Sequence, residues 1–176
     1  MTATLTFGPN VDQSLVSSYS RTVLCGVLDA AGCASAFVSS FTRTPEHFAE
    51  ILHDNCMNHG PESQLAIYLA PGQAVIRVYM ASGHLNRADT IAAMTAEIHK
   101  QGPQNCSRHC SDPAKMQVFD LTDESLGESA DAVCHVEIVS GEKTYFGTAV
   151  NDKRVSRVLV ENGVRHIEIP QPQASP

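Results

Sequence analysis

Leu15, Val16, Tyr19, Val23, Leu24, Val27 and Leu28 recur at steps of three and four over residues 12–31. That spacing gathers apolar side chains on one face and predicts an amphipathic helix, which Gly32 closes. Ser35-Ala36-Phe37-Val38-Ser39-Ser40-Phe41 is rich in residues that favour extended backbone and reads as a strand. Thr44-Pro45 then offers a cap followed by proline at the first helical position, so a helix opens there and is expected to reach about residue 58. Residues 61–69 and 72–80 read as further helical pieces. Residues 88–100 place Ile91, Met94 and Ile98 on one face of another helix, which Gly102-Pro103 stops.

From Met116 onward the period changes to two. Gln117-Val118-Phe119-Asp120, Val133-Cys134-His135-Val136-Glu137-Ile138-Val139 and Val164-Arg165-His166-Ile167-Glu168-Ile169 each alternate as strands do. Helices come first and strands later, so the pattern predicts an α+β fold, with N-terminal helices packed on a small, mainly antiparallel sheet. A chain of 176 residues with 43% apolar content sustains one core. The expected organisation is a single domain over residues 1–170 and a proline-rich, poorly ordered tail over residues 171–176.

Charge and composition remove several function classes. Lys+Arg 12 against Asp+Glu 19 gives a net charge of −7, and no stretch concentrates the basic residues, so nucleic acid is not an expected partner. No run approaches the length of about 18 apolar residues needed to span a membrane. Met1-Thr2-Ala3-Thr4-Leu5-Thr6-Phe7-Gly8 lacks the charged start and apolar stretch of a signal peptide, and synthesis in the cytosol is the expectation. The six cysteines are irregularly spaced and are expected to be free, mostly buried thiols. Nothing in the pattern fixes an oligomeric state.

Three short stretches carry candidate chemistry. They are Ser40-Phe41-Thr42-Arg43-Thr44-Pro45-Glu46, then Ser107-Arg108-His109 running on to Val118-Phe119-Asp120, and finally Arg165-His166-Ile167-Glu168-Ile169-Pro170. Two histidines and a carboxylate drawn from separate loops and strands can give a metal three protein ligands and leave a fourth position for water. That is the pattern of a catalytic rather than a structural zinc site.

Together these stretches resemble the motifs of the superfamily of D-alanyl-D-alanine carboxypeptidases, dipeptidases and phage L-alanyl-D-glutamate endopeptidases, whose fold is shared with the hedgehog signalling domain. The strand-turn-helix around Arg43 is similar to its "SGYR[ST]PE" element. Ser107-x-His109 with Asp120, and then His166-x-Glu168, are similar to its "SxH…D" and "H-x-[HE]" motifs, in the same order. The resemblance covers about residues 45–170 and implies a hedgehog-like zinc peptidase fold. It also implies Zn2+ as cofactor, held by His109, Asp120 and His166, with Arg43 and Ser107 contacting substrate.

The implied activity is that of a metallopeptidase, a hydrolase acting on peptidoglycan stem peptides as a D,D-carboxypeptidase or endolysin. A phage or prophage protein would reach the cell wall after release or as part of a virion. An enzyme is the favoured reading. The alternative is an inactive zinc-containing binding or virion structural module of the same fold. Two positions depart from the family pattern: Ser111-Asp112-Pro113-Ala114-Lys115 lengthens the spacing between His109 and Asp120, and Gly163 stands where the family carries its acidic base. Glu161 and Glu168 are the candidates to replace that base.

Other readings stand beside these. His135-x-Glu137 repeats the last motif and could take its place. Cys106 and Cys110 bracket His109 and could form a knuckle, though no second Cys-x-x-Cys half accompanies them. Cys134 and His135 are neighbours on a strand and point to opposite faces, which disfavours a nucleophile and base pair. His47, His53, His59, His84 and His99 lack ligand spacing and are expected on the surface.

Overall fold

The structure is a computed structural model describing residues 2–83 and 85–173. The chain divides into two compact units, Met1–Thr42 with Asp112–Pro176, and Arg43–Ser111. In chain order the first unit holds strand β1 (Thr4–Phe7), helix α1 (Ser18–Ala30) and strands β2 (Ser35–Phe41), β3 (Met116–Thr122), β4 (His135–Val139), β5 (Glu142–Phe146), β6 (Arg157–Glu161) and β7 (Val164–Pro170). The second holds α2 (Pro45–His59), α3 (Pro61–Ile67), α4 (Ala70–Ala81) and α5 (Arg87–Gln101).

The first unit is built on a five-stranded sheet in the order β1-β2-β3-β7-β6. β1 runs parallel to β2 and every other neighbouring pair is antiparallel. The α+β expectation therefore holds, with one parallel pair making the sheet mixed. Val23, Leu24, Val27 and Leu28 of α1 are fully buried in one core with Ala36, Val38, Phe119, Leu121, Ile167 and Ile169. Each such aliphatic side chain contributes about 1.5–3 kcal/mol relative to exposure.

The helix expected over residues 12–31 is interrupted. Ser17 caps α1 by accepting the Ser20 N–H at 3.0 Å, which confines the preceding residues to a short tight turn at Gln13–Leu15. Gln117 ties this entry to β3, accepting from Ser17 N at 3.1 Å and donating to Leu15 O at 2.8 Å. Gln117, Phe119 and Leu121 therefore face α1. Val118, Asp120 and Thr122 point to the opposite face, because side chains alternate along a strand.

β6 and β7 join through Asn162-Gly163, with Glu161 paired to Val164 and Gly163 at φ +80°. Only glycine enters that conformation freely, and a two-residue Asn-Gly turn suits the strand twist. β4 and β5 form a separate two-stranded ribbon. Residues 130–133, at the edge of the strand expected from 133, instead make a short helical turn. Gln171, the first residue of the expected tail, is anchored: its N–H donates to Lys115 O at 2.8 Å and its side chain bonds Ser17 and Ser20. Residues 174–176 lie outside the described residues.

In the second unit the Thr44 hydroxyl caps α2 by accepting the His47 N–H at 3.2 Å, with Pro45 following as the sequence predicts. Phe48, Ala49, Leu52 and Cys56 of α2 meet Val75, Ile76, Met94 and Ile98 in its core. His53 corrects the surface expectation: it follows Leu52 on the inner face, is only 4% exposed, and sets its ring edge-on to Tyr79 at 5.3 Å. His59 and His99 are exposed, His47 is partly buried, and His84 lies outside the described residues. Among the described residues no helix is long and apolar enough to cross a membrane.

Candidate metal centre

β3 and β7 pair in register so that Asp120 stands directly opposite His166, and Val118 opposite Glu168. Period two then places Asp120, His166 and Glu168 together on the face turned away from α1. His166 Nδ1 lies 2.9 Å from Asp120 Oδ1, and His166 Nε2 lies 3.5 Å from Glu168 Oε1. His166 and Glu168 are buried, and Asp120 is partly so.

Burial alone lowers the His166 pKa. The hydrogen bonds to Asp120 and Glu168 and the charges of Asp120 and Glu161 outweigh it, and the value is raised to about 9. At neutral pH the metal-free imidazole is an imidazolium, its Nδ1–H donating to Asp120 while the Glu168 carboxylate faces Nε2 as an ion pair.

β2 flanks this face from one side. A bulge between Val38 and Ser40 shifts the register, so Val38 faces Leu121 while Ser40 faces Asp120. Beyond the strand, Thr42 Oγ1 accepts the Val118 N–H at 2.9 Å, and the Phe41 and Phe119 rings pack at 4.9 Å. From the other side β6 presents Arg157, Leu159 and Glu161, opposite Glu168, His166 and Val164 respectively. Glu161 is exposed. Arg157 and Leu159 are not among the candidates from sequence, although the short apolar run Val158-Leu159-Val160 before Asn162-Gly163 carries a strand-and-hairpin signal.

His109 sits in a tight turn, Arg108–Cys110, which Ser107 enters in extended conformation. The turn is closed by Cys110 N–H donating to Ser107 O at 2.9 Å, and His109 O accepts the Arg43 N–H at 2.7 Å. That last bond joins two of the sequence candidates through the main chain. The Arg43 guanidinium also lowers the Cys110 and Tyr68 pKa values against a larger rise from burial.

His109, Asp120 and His166 each offer a ligand atom, and these atoms all lie within 4.8 Å of one another. The three are buried or partly buried, and such a group can hold a metal ion. Two imidazole nitrogens and a carboxylate oxygen are donors that suit zinc.

The competing motifs do not join this group. His135 lies on the β4–β5 ribbon, stacked on Phe146 at 5.2 Å, with Nε2 3.7 Å from Glu137. Cys106 and Cys110 are free and buried in the core of the second unit. Burial pushes the Cys110 thiol up to about 12 and raises Cys134 as well, so neither is an activated nucleophile. Comparison with protein-family models, with curated proteins and with solved structures finds no match to this chain.

Proposed function

We propose that this chain is a zinc-dependent peptidase that hydrolyses an amide bond of peptidoglycan stem peptides, of D,D-carboxypeptidase or endolysin type and of phage or prophage origin. The observation that carries the reading is the gathering of the His109, Asp120 and His166 donor atoms within 4.8 Å. Three protein ligands leave a coordination position for substrate or water. Zinc held there supplies polarisation of a carbonyl and a source of hydroxide at neutral pH.

The chain's own residues then take distinct roles. Glu168, beside His166 Nε2, orients that imidazole as an outer carboxylate does for a ligating histidine. Glu161 is exposed on the same face and close enough to shift His166. It is the better placed of the two to take a proton from water and deliver it to the leaving amine. Arg43 recognises a stem-peptide carboxylate through the paired N–H groups of its guanidinium, with Ser107 contributing a hydroxyl. The protein acts on the cell wall after release or as part of a virion.

One observation favours a second reading. Gly163 occupies a turn at φ +80° and has no side chain where the resembled family carries its acid. A zinc-containing binding or virion structural module follows if Glu161 does not replace it.

The test is metal analysis of the purified chain combined with product release from isolated cell-wall sacculi, for wild type and His109→Ala. Stoichiometric zinc with release that His109→Ala abolishes supports the peptidase. Stoichiometric zinc without release selects the binding module, and absence of zinc binding overturns both.

A further inference from the structure

β6 is an edge strand of the five-stranded sheet and, among the described residues, pairs as a strand with β7 alone. Its pairing with β7 is regular from Arg157 to Glu161, with no bulge. Its sequence, Arg157-Val158-Leu159-Val160-Glu161, has no proline and no central charge. Natural edge strands are usually blunted by such features, because an unprotected edge is a template for another strand. The opposite edge, β1, is shorter, at four residues, and Arg21 lies over its last side chain, Phe7, at 4.8 Å.

The order of charges along β6 selects a partner. In an antiparallel pair centred on Leu159, position 157 of one strand stands opposite position 161 of the other. Two copies of β6 so paired set Arg157 against Glu161 twice, Val158 against Val160 twice, and Leu159 against Leu159. Every charged residue meets its opposite and every apolar residue an apolar one. Cross-strand pairs of both kinds stabilise a sheet, and like charges directly opposite oppose it. A self-complementary strand is what an isologous twofold interface requires.

We propose that β6 pairs with β6 of a second copy of this chain, antiparallel and centred on Leu159, to make a dimer with one continuous sheet. Arg157, Leu159 and Glu161 project from the same face as His166 and Asp120. The second copy's Arg157 therefore meets Glu161 beside the candidate metal centre. This influence on Glu161 rests on the role proposed for it above, whereas the dimer depends on neither metal nor activity.

The experiment is sedimentation equilibrium of the full chain in excess chelator, so that its outcome is independent of zinc. The expected result is a reversible dimer. Arg157→Glu and Glu161→Arg each place like charges opposite one another at two symmetric positions and weaken dimerisation by about tenfold or more. The double variant, Arg157→Glu with Glu161→Arg, restores the pairing and regains the dimer. Leu159→Lys, which sets two ammonium groups together on the axis, abolishes it and serves as a second test should a charge variant fail to fold by circular dichroism.

A wild-type chain that remains monomeric at several hundred micromolar overturns the proposal. So does a dimer indifferent to Arg157→Glu, Glu161→Arg and Leu159→Lys, or folded single variants that dissociate and are not rescued in the double.

Discussion

His166 Nδ1 stands 2.9 Å from Asp120 Oδ1 across a directly opposed pair of β3 and β7. Backbone pairing, rather than the reach of a flexible side chain, sets this distance. A slip of one residue in either strand would send one of the two to the α1 face and separate them. Two members of the candidate metal group are thus positioned by the same hydrogen bonds that build the sheet.

Removal of a ligand should be distinguishable from removal of an outer partner. His109→Ala, Asp120→Ala and His166→Ala are each expected to lower zinc affinity by more than about 100-fold. Glu168→Gln, which weakens the support of His166 Nε2, should cost about 10–100-fold. Competition with a chromogenic chelator reads both, and equal effects across all four variants would remove the distinction between ligand and support.

The pH response follows from the raised pKa of His166. The metal-free folded chain holds this proton up to about pH 9, whereas an unfolded histidine releases it near about 6.5. The resulting stabilisation is complete below about pH 6.5 and is lost as pH climbs through about 9. Urea denaturation in excess chelator should show this fall, and His166→Gln should flatten it.

Zinc affinity should move the other way. Coordination requires a neutral imidazole, so binding displaces the His166 proton, and apparent affinity rises about tenfold per pH unit between neutrality and about pH 9. Calorimetry in buffers of different ionisation heat counts the released proton. Affinity independent of pH over this range would exclude His166 as a ligand.

Much of this arrangement is legible in the sequence because it rests on period and punctuation. The strand carrying Phe37 and Val38, the Thr44-Pro45 cap and the alternation around Asp120 and His166 appear where the pattern places them. Hydrogen-bonded features are less visible. Ser17 breaks the first helix by capping at a position where apolar periodicity continues through Leu15 and Val16. β1, β5 and β6 are short strands, and their alternation covers too few residues to stand out. His53 is buried by the inward turn of α2, which lone-residue polarity does not reveal. Asp120 and His166 face one another through a strand register that neither motif contains, and the bulge that turns Ser40 toward Asp120 leaves no mark in composition.

Glu161 and Glu168 should separate by kinetics. If Glu161 carries the proton, Glu161→Gln lowers kcat by about 10²–10⁴ and leaves zinc content and KM little changed. Glu168→Gln should act through metal occupancy, so added zinc should restore much of its activity. Steady-state assays on a soluble stem peptide, with and without added zinc, read this difference, and zinc rescue of Glu161→Gln would reverse the two roles.

Thr42 tests how firmly the site face is held. Its hydroxyl oxygen is the acceptor for the N–H of Val118, a fully buried residue two positions before Asp120. Thr42→Val keeps nearly the same volume and leaves that N–H without its acceptor, which should cost about 1–3 kcal/mol of unfolding free energy. Thr42→Ser retains the oxygen and loses one methyl group, a loss of about 1 kcal/mol. Valine should therefore be the more damaging change, although it is the more apolar residue at a site only 6% exposed. Urea denaturation ranks the two variants, and amide exchange at Val118 localises the effect. Faster exchange there in Thr42→Val than in Thr42→Ser ties the loss to this one bond, and the reverse ranking would assign the contribution of Thr42 to its methyl group.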